Sequence, residues 1–190
     1  MKLFILDDIE TDARYCRVDV TVACNDALTD GERALPELER QEIDVLELQM
    51  DEDEGGLELP DYVGNADNAL VLRRACAEAI VAGFVVGEHE LLPAQLINEK
   101  GRVHSDDYVI LNPLGQAECL HLEASEMDGD EEEPMVKIMG RWYLSSELVP
   151  RDRDLFRVKG VIGYVLSERL VAFIEAEGFT NFHFLPVAVR

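Results

Sequence analysis

Positive charge is scarce in this sequence. Lys and Arg number 17 against 40 Asp and Glu in 190 residues, a formal net charge of −23. A surface that grips nucleic acid must neutralise phosphates with Lys and Arg, so this balance argues against nucleic acid as a partner. It argues equally against an anionic membrane surface. Long apolar runs are also missing. The longest, residues 79–86, falls far short of the roughly 20 apolar residues that cross a bilayer. The opening MKLFIL stops at Asp7 and Asp8, too soon for the apolar part of a secretory signal, so the cytoplasm is the expected location. Cysteine is sparse: Cys16, Cys24, Cys76 and Cys119 are scattered with no C-x-x-C pair, which points to reduced, buried thiols.

The signatures of chemistry are missing as well. Ser145 and Ser146 lie in no G-x-S-x-G frame, and His89, His104, His121 and His183 sit in no recognisable Cys–His arrangement. His183 lies between Phe182 and Phe184 on an expected strand and so points away from their face. Gly160 and Gly163 are not followed by the Lys and Ser or Thr of a phosphate loop. Cys119 and His121 form a C-x-H pair without the two further ligands of a closed zinc site. Asp51, Asp53 and Gly55 begin a calcium-loop pattern that Leu57 and Pro60 spoil, and Asp128 and Asp130 begin another with no glycine at the sixth position. No catalytic residue, cofactor or metal ion is expected.

What is present is a core and a pattern. Hydrophobic residues make up 47% of the chain, enough for a packed globular interior. MKLFIL reads as a strand, and residues 15–22 alternate apolar and polar with Cys16, Val18, Val20 and Val22 on one face. Pro36 can start a short helix, and residues 43–48 suit a third strand. Further strands are expected at residues 107–111, 119–122, 136–139 and 141–144. A helix–glycine–strand unit occurs twice. Leu72, Cys76, Ala79 and Ile80 form one helical face, closed by Gly83 and followed by Leu92-Pro93. Leu166, Leu170, Phe173 and Ile174 form the other, with Ser167 placed to cap its start, Gly178 to end it and Leu185-Pro186 beyond. Arg73 replaces the capping serine in the first copy. A duplicated unit and a coincidence of two amphipathic helices both fit this pattern. The expected fold is α+β, with a small β-rich N-terminal lobe carrying a short helix over residues 1–60. A larger lobe over residues 61–190 holds mixed strands and the two helix–strand units.

The acid is unevenly placed. Residues 41–72 and 103–136 each hold ten acidic residues and no Lys or Arg, whereas residues 137–190 hold eight basic and six acidic ones. Within the two acidic stretches lie Asp51, Glu52, Asp53 and Glu54, followed by two glycines, and Asp128, Asp130, Glu131, Glu132 and Glu133, followed by Pro134. Adjacent carboxylates repel and Gly and Pro interrupt regular structure, so both segments are expected as exposed loops that meet a basic protein. The same charge also serves solubility alone. Trp142 is either an interface anchor or a core residue beside Met139 and Leu144.

From residue 70 onward several segments carry a family resemblance. They are Asp107-Tyr108-Val109-Ile110-Leu111-Asn112-Pro113, Asp154-Leu155-Phe156-Arg157, Leu166-Ser167-Glu168-Arg169-Leu170 and the closing stretch from Glu177-Gly178-Phe179-Thr180-Asn181 to Val187. The chain there resembles bacterial polymorphic-toxin immunity protein family eleven, formerly a domain of unknown function. Ser167-Glu168 stands at that family's Ser-Glu/Asp helix start, and Gly178 and Thr180 within its Gly-x-Thr-Gly, with Asn181 where glycine is usual. The resemblance implies an α+β fold, no cofactor and no catalytic residues. It also implies a cytoplasmic antidote that binds a toxin encoded by the adjacent gene. Two other classes stay open: an acidic adaptor for a basic protein that is not a toxin, and a small metal-binding regulatory protein.

Overall fold

Alternating apolar strands outnumber helices in a computed structural model, which describes residues 2–7, 12–20, 22, 24–51, 53, 55–128, 135–136 and 141–190. The fold is α+β, as expected. In chain order the elements begin with β1 (Leu3–Asp7), β2 (Arg17–Asp19), α1 (Asn25–Asp30), α2 (Leu35–Arg40) and β3 (Leu46–Met50). They continue with β4 (Tyr62–Asn65), β5 (Leu70–Arg73), α3 (Arg74–Gly83), β6 (His89–Ile97) and β7 (Val103–Pro113). Short strands follow: β8 (Gln116–Ala117), β9 (Met127–Asp128), β10 (Met135–Val136) and β11 (Tyr143–Leu144). The last elements are β12 (Leu155–Val158), β13 (Val165–Ser167), α4 (Glu168–Glu177) and β14 (His183–Val189).

Two β-layers result. Strands β2-β3-β6-β7-β5-β4 close into a barrel, and β11-β14-β1-β13-β12-β8 form a second six-stranded sheet. That second sheet curls into an incomplete barrel, its ends joined only at the single Leu120–Leu144 bridge, where the Ser145 amide donates to the Cys119 carbonyl at 2.8 Å and the His121 amide to Tyr143 at 2.8 Å. Cys16, Val18, Val20, Leu48 and Leu96 fill the first barrel. Leu3, Cys119, Leu144, Phe156 and Val165 fill the second. A third cluster lies between them, with Leu72, Ile80 and Leu111 from one side meeting Leu166, Leu170 and Ile174 from the other. Both longer helices thus bury their apolar stripe in the seam, which is what their periodicity requires.

The split at residue 60 does not coincide with a boundary between sheets. β2 and β3 pair with β4 and β6, while β1 pairs antiparallel with β13 and β14 at the far end of the chain. The reason is hydrogen bonding: three short strands and two short helices cannot satisfy their own backbone edges, and partners come from distant sequence.

Local expectations hold where caps are strong. The Ser167 hydroxyl accepts the Leu170 amide, and Gly178 takes the left-handed conformation at φ 73°. Arg73 makes no such cap; its guanidinium instead reaches Asp61 at 3.1 Å. The third strand begins at Leu46, later than expected, because Ile43 closes the end of α2 by donating its amide to Leu38 at 2.9 Å, with Glu42 left-handed at φ 56°. Leu120 forms a single bridge where a strand at residues 119–122 was expected.

Candidate partner-binding site

At its described residues the first acidic segment is stitched to the barrel. Gly56 donates its amide to the Tyr15 carbonyl at 2.8 Å, Glu58 to Arg14 at 3.1 Å, and Asp51 to Arg17 at 3.0 Å. Two glycines are needed for this approach. A Cβ at position 55 would lie 2.6 Å from the Arg17 nitrogen, and one at position 56 would lie 2.1 Å from the Arg14 carbonyl oxygen. The Asp51 carboxylate in turn accepts the Asp53 amide at 3.1 Å.

This anchoring sets Asp51 and Asp53 beside Asp19 of β2 and Glu99 beyond β6. Together with Gln49 and Met50 they line an open cleft of about 280 Å³, with four carboxylates among its described lining residues. Sequence reasoning picked out Asp51 and Asp53 and missed Asp19 and Glu99. The strand alternation at residues 15–22 does put Asp19 on the outward face, opposite the buried Val18 and Val20, so that signal was available. Glu99 arrives through the parallel pairing of β3 with β6, which no local pattern announces.

In sequence the second acidic segment lies between β9 and β10. These strands pair antiparallel, Met135 opposite Asp128 and Val136 opposite Met127, and the Glu126 amide beside them donates to Arg141 at 2.8 Å. Asp128 is placed by its backbone in β9. Glu52, Glu54, Asp130, Glu131, Glu132 and Glu133 lie outside the described residues. Trp142 is partly buried and packs against the cluster that holds Leu3, Cys119, Leu144 and Phe156.

Much of the scarce positive charge is turned inward or tied up. Among the described residues Arg73 and Arg169 are bound by Asp61 and Asp154, and Lys2, Arg14, Arg33, Arg40 and Lys159 also stand in ion pairs. Arg157 is 5% exposed. Its guanidinium stacks 4.4 Å from the Tyr164 ring centre and donates to the Tyr164 hydroxyl at 2.6 Å, to Asn112 at 3.4 Å and to the Leu28 carbonyl. Asn112 passes the chain of contacts on to the buried Glu90 at 3.1 Å, and Glu90 accepts the Ala34 amide at 2.9 Å. Burial presses the Arg157 pKa down, opposed by Tyr164 and Asp30. This network joins the α1–α2 segment to both barrels; sealed from solvent, it braces the structure.

The cysteines are poor nucleophiles. Burial pushes the Cys16 and Cys119 thiols up to about 11 and Cys76 up to about 12, so the thiolate is scarce at neutral pH. Among the described residues no three His, Cys, Asp or Glu side chains gather as a metal-ligating group. No helix among them is long and apolar enough to cross a membrane. Compared with protein-family models and with curated proteins, the chain matches none.

Proposed function

We propose that this protein is an immunity-type antidote that neutralises a cognate toxin by stoichiometric binding of a basic protein, without catalysis. The observation that carries this reading is the cleft of Asp19, Asp51, Asp53 and Glu99, fixed in place by backbone contacts and not left to a wandering loop. A pre-formed acidic concavity meets Lys and Arg with little ordering cost. The wider negative field raises the encounter rate with a basic partner. The resemblance over residues 70–190 adds the toxin as the kind of partner, and the second acidic run, Asp128, Asp130, Glu131, Glu132 and Glu133, supplies a second acidic contact. Exposed pairs of this kind contribute about 0–1 kcal/mol each, so affinity rests on desolvated anchors, for which Trp142 is the aromatic candidate.

The test is association with the purified product of the neighbouring gene, followed by stopped flow at increasing salt. The on-rate should fall by about tenfold or more between about 0.05 and about 0.5 M salt. Asp53→Lys, and separately Glu131, Glu132 and Glu133 all replaced by Lys, should slow association while leaving the circular-dichroism spectrum intact. A salt-independent on-rate, or no complex at all, refutes the proposal. A large rise in Tm on adding calcium or magnesium would favour the metal-binding regulatory class instead.

A further inference from the structure

The two barrels correspond strand by strand. In the first, β5 pairs antiparallel with β4 and β7; in the second, β13 pairs antiparallel with β12 and β1. β3 runs parallel to β6 and β2 parallel to β4; β11 runs parallel to β14 and β8 parallel to β12. The registers agree as well. Val109 faces Leu72 on one side and Pro93 on the other, and Phe4 faces Leu166 and Pro186 in the same way. The element that does not follow chain order is β1: it occupies in the second barrel the place that β7 holds in the first.

The contacts between the barrels are reciprocal. Asp61, just before β4, accepts the Arg73 amide on its carbonyl at 2.8 Å, and Asp154, just before β12, accepts the Ser167 amide likewise at 2.8 Å. Each of these aspartates clasps the loop that follows the other barrel's helix. Asp61 accepts the Thr180 amide at 2.9 Å and hydroxyl at 2.8 Å beyond α4, and Asp154 accepts the Val85 amide at 3.0 Å beyond α3. Exchange of i–j for j–i contacts is the mark of an isologous interface, here within one chain.

We infer that the protein is two copies of one self-associating barrel unit, and that its N-terminal strand is the last strand of the second copy carried at the front of the chain. The face formed by the helix and the strand-leading aspartate recognises a second unit of its own kind. β14 and β1 are then an interrupted hairpin, the counterpart of β6 and β7 joined through residues 98–102. This inference stands apart from the acidic cleft and the function proposed for it.

Two measurements on the full chain test it. In native-state hydrogen exchange, the amides of Phe4, Ile5 and Leu6 should be protected to within about tenfold of those of Val109, Ile110 and Leu111, because both strands are central. A circular permutant, closed from residue 190 to residue 1 by a short Gly-Ser linker and opened within residues 98–102, would begin with β7 and end with β6. That chain reproduces the natural order with the copies exchanged. It should melt in one cooperative transition within about 5 °C of wild type. Exchange at Phe4, Ile5 and Leu6 faster than in β7 by orders of magnitude overturns the inference. So does a permutant that stays unfolded where the wild type is folded.

Discussion

Replacing Gly56 by Ala tests how firmly the acidic cleft is held. The new Cβ would meet the Arg14 carbonyl oxygen at 2.1 Å, the Arg14 carbonyl carbon at 2.5 Å and the Ala13 carbonyl oxygen at 2.8 Å. Non-bonded heavy atoms prefer about 3.5 Å or more, and all three neighbours are backbone that no rotamer change can move aside. The two segments must therefore part by about 1 Å. That stretches the Gly56–Tyr15 bond of 2.8 Å and the Glu58–Arg14 bond of 3.1 Å beyond useful length. At about 1 kcal/mol for each hydrogen bond, with some residual overpacking, the loss is about 2–3 kcal/mol. Gly83 provides the opposite sign within the same protein. It ends α3 with nothing within 4 Å of its would-be Cβ, so Gly83→Ala should gain up to about 1 kcal/mol from helix propensity. Urea unfolding followed by circular dichroism separates the two. With m of about 2–3 kcal/mol/M, the midpoint should fall by about 1 M for Gly56→Ala and rise slightly for Gly83→Ala. Midpoints that move together, or an unmoved midpoint for Gly56→Ala, would refute the close approach and with it the rigid cleft.

Two further predictions concern the polar network and the clasp between barrels. Arg157→Met keeps the apolar stem but leaves the Leu28 and Thr29 carbonyls and the Tyr164 hydroxyl without their charged donor. A loss of about 3–5 kcal/mol in urea unfolding is expected, and a neutral or stabilising result would show that recovered desolvation outweighs the bonds. Burial raises the Asp154 carboxyl, but hydrogen bonds from Arg169, Ser167 and the Val85 amide outweigh it and hold the group below its ordinary value of 3.8. A depressed folded pKa stabilises fully above the unfolded value of about 3.9 and ceases to do so as pH falls through the folded one. Asp154→Asn should therefore melt below wild type at pH 7, and the gap should narrow as pH falls below about 3.9; a gap that persists unchanged contradicts this sign.

What could be read from the sequence was local. The Ser167 cap, the Gly178 stop and the apolar stripe of Leu170 and Ile174 are decided within a few residues, and the fold keeps all of them. Asn181 stands left-handed at φ 66°, the conformation for which glycine is the common choice and asparagine a tolerated one. The repeated Leu-Pro steps at Pro93 and Pro186 mark equivalent positions of two barrels. What stayed hidden depends on partners far away. Nothing near Leu3 announces Val165 or Val187, and nothing near Gly56 announces that Arg14 lies against it. The site divides in the same way. Asp51 and Asp53 stand out as a charge run, whereas Glu99 joins them through a parallel strand pairing that charge and periodicity do not encode.

The placement of β1 also bears on synthesis. Leu3 to Ile5 are made long before their neighbours, Val165 to Ser167 and Leu185 to Val187. At about 5–20 residues per second the strand waits roughly 10–40 s for them. The strands of the first barrel, ending at Pro113, have all emerged well before that. During this interval Phe4 and Leu6 lack both strand partners, although Leu72, Ile80 and Leu111 of the cluster they join have already emerged.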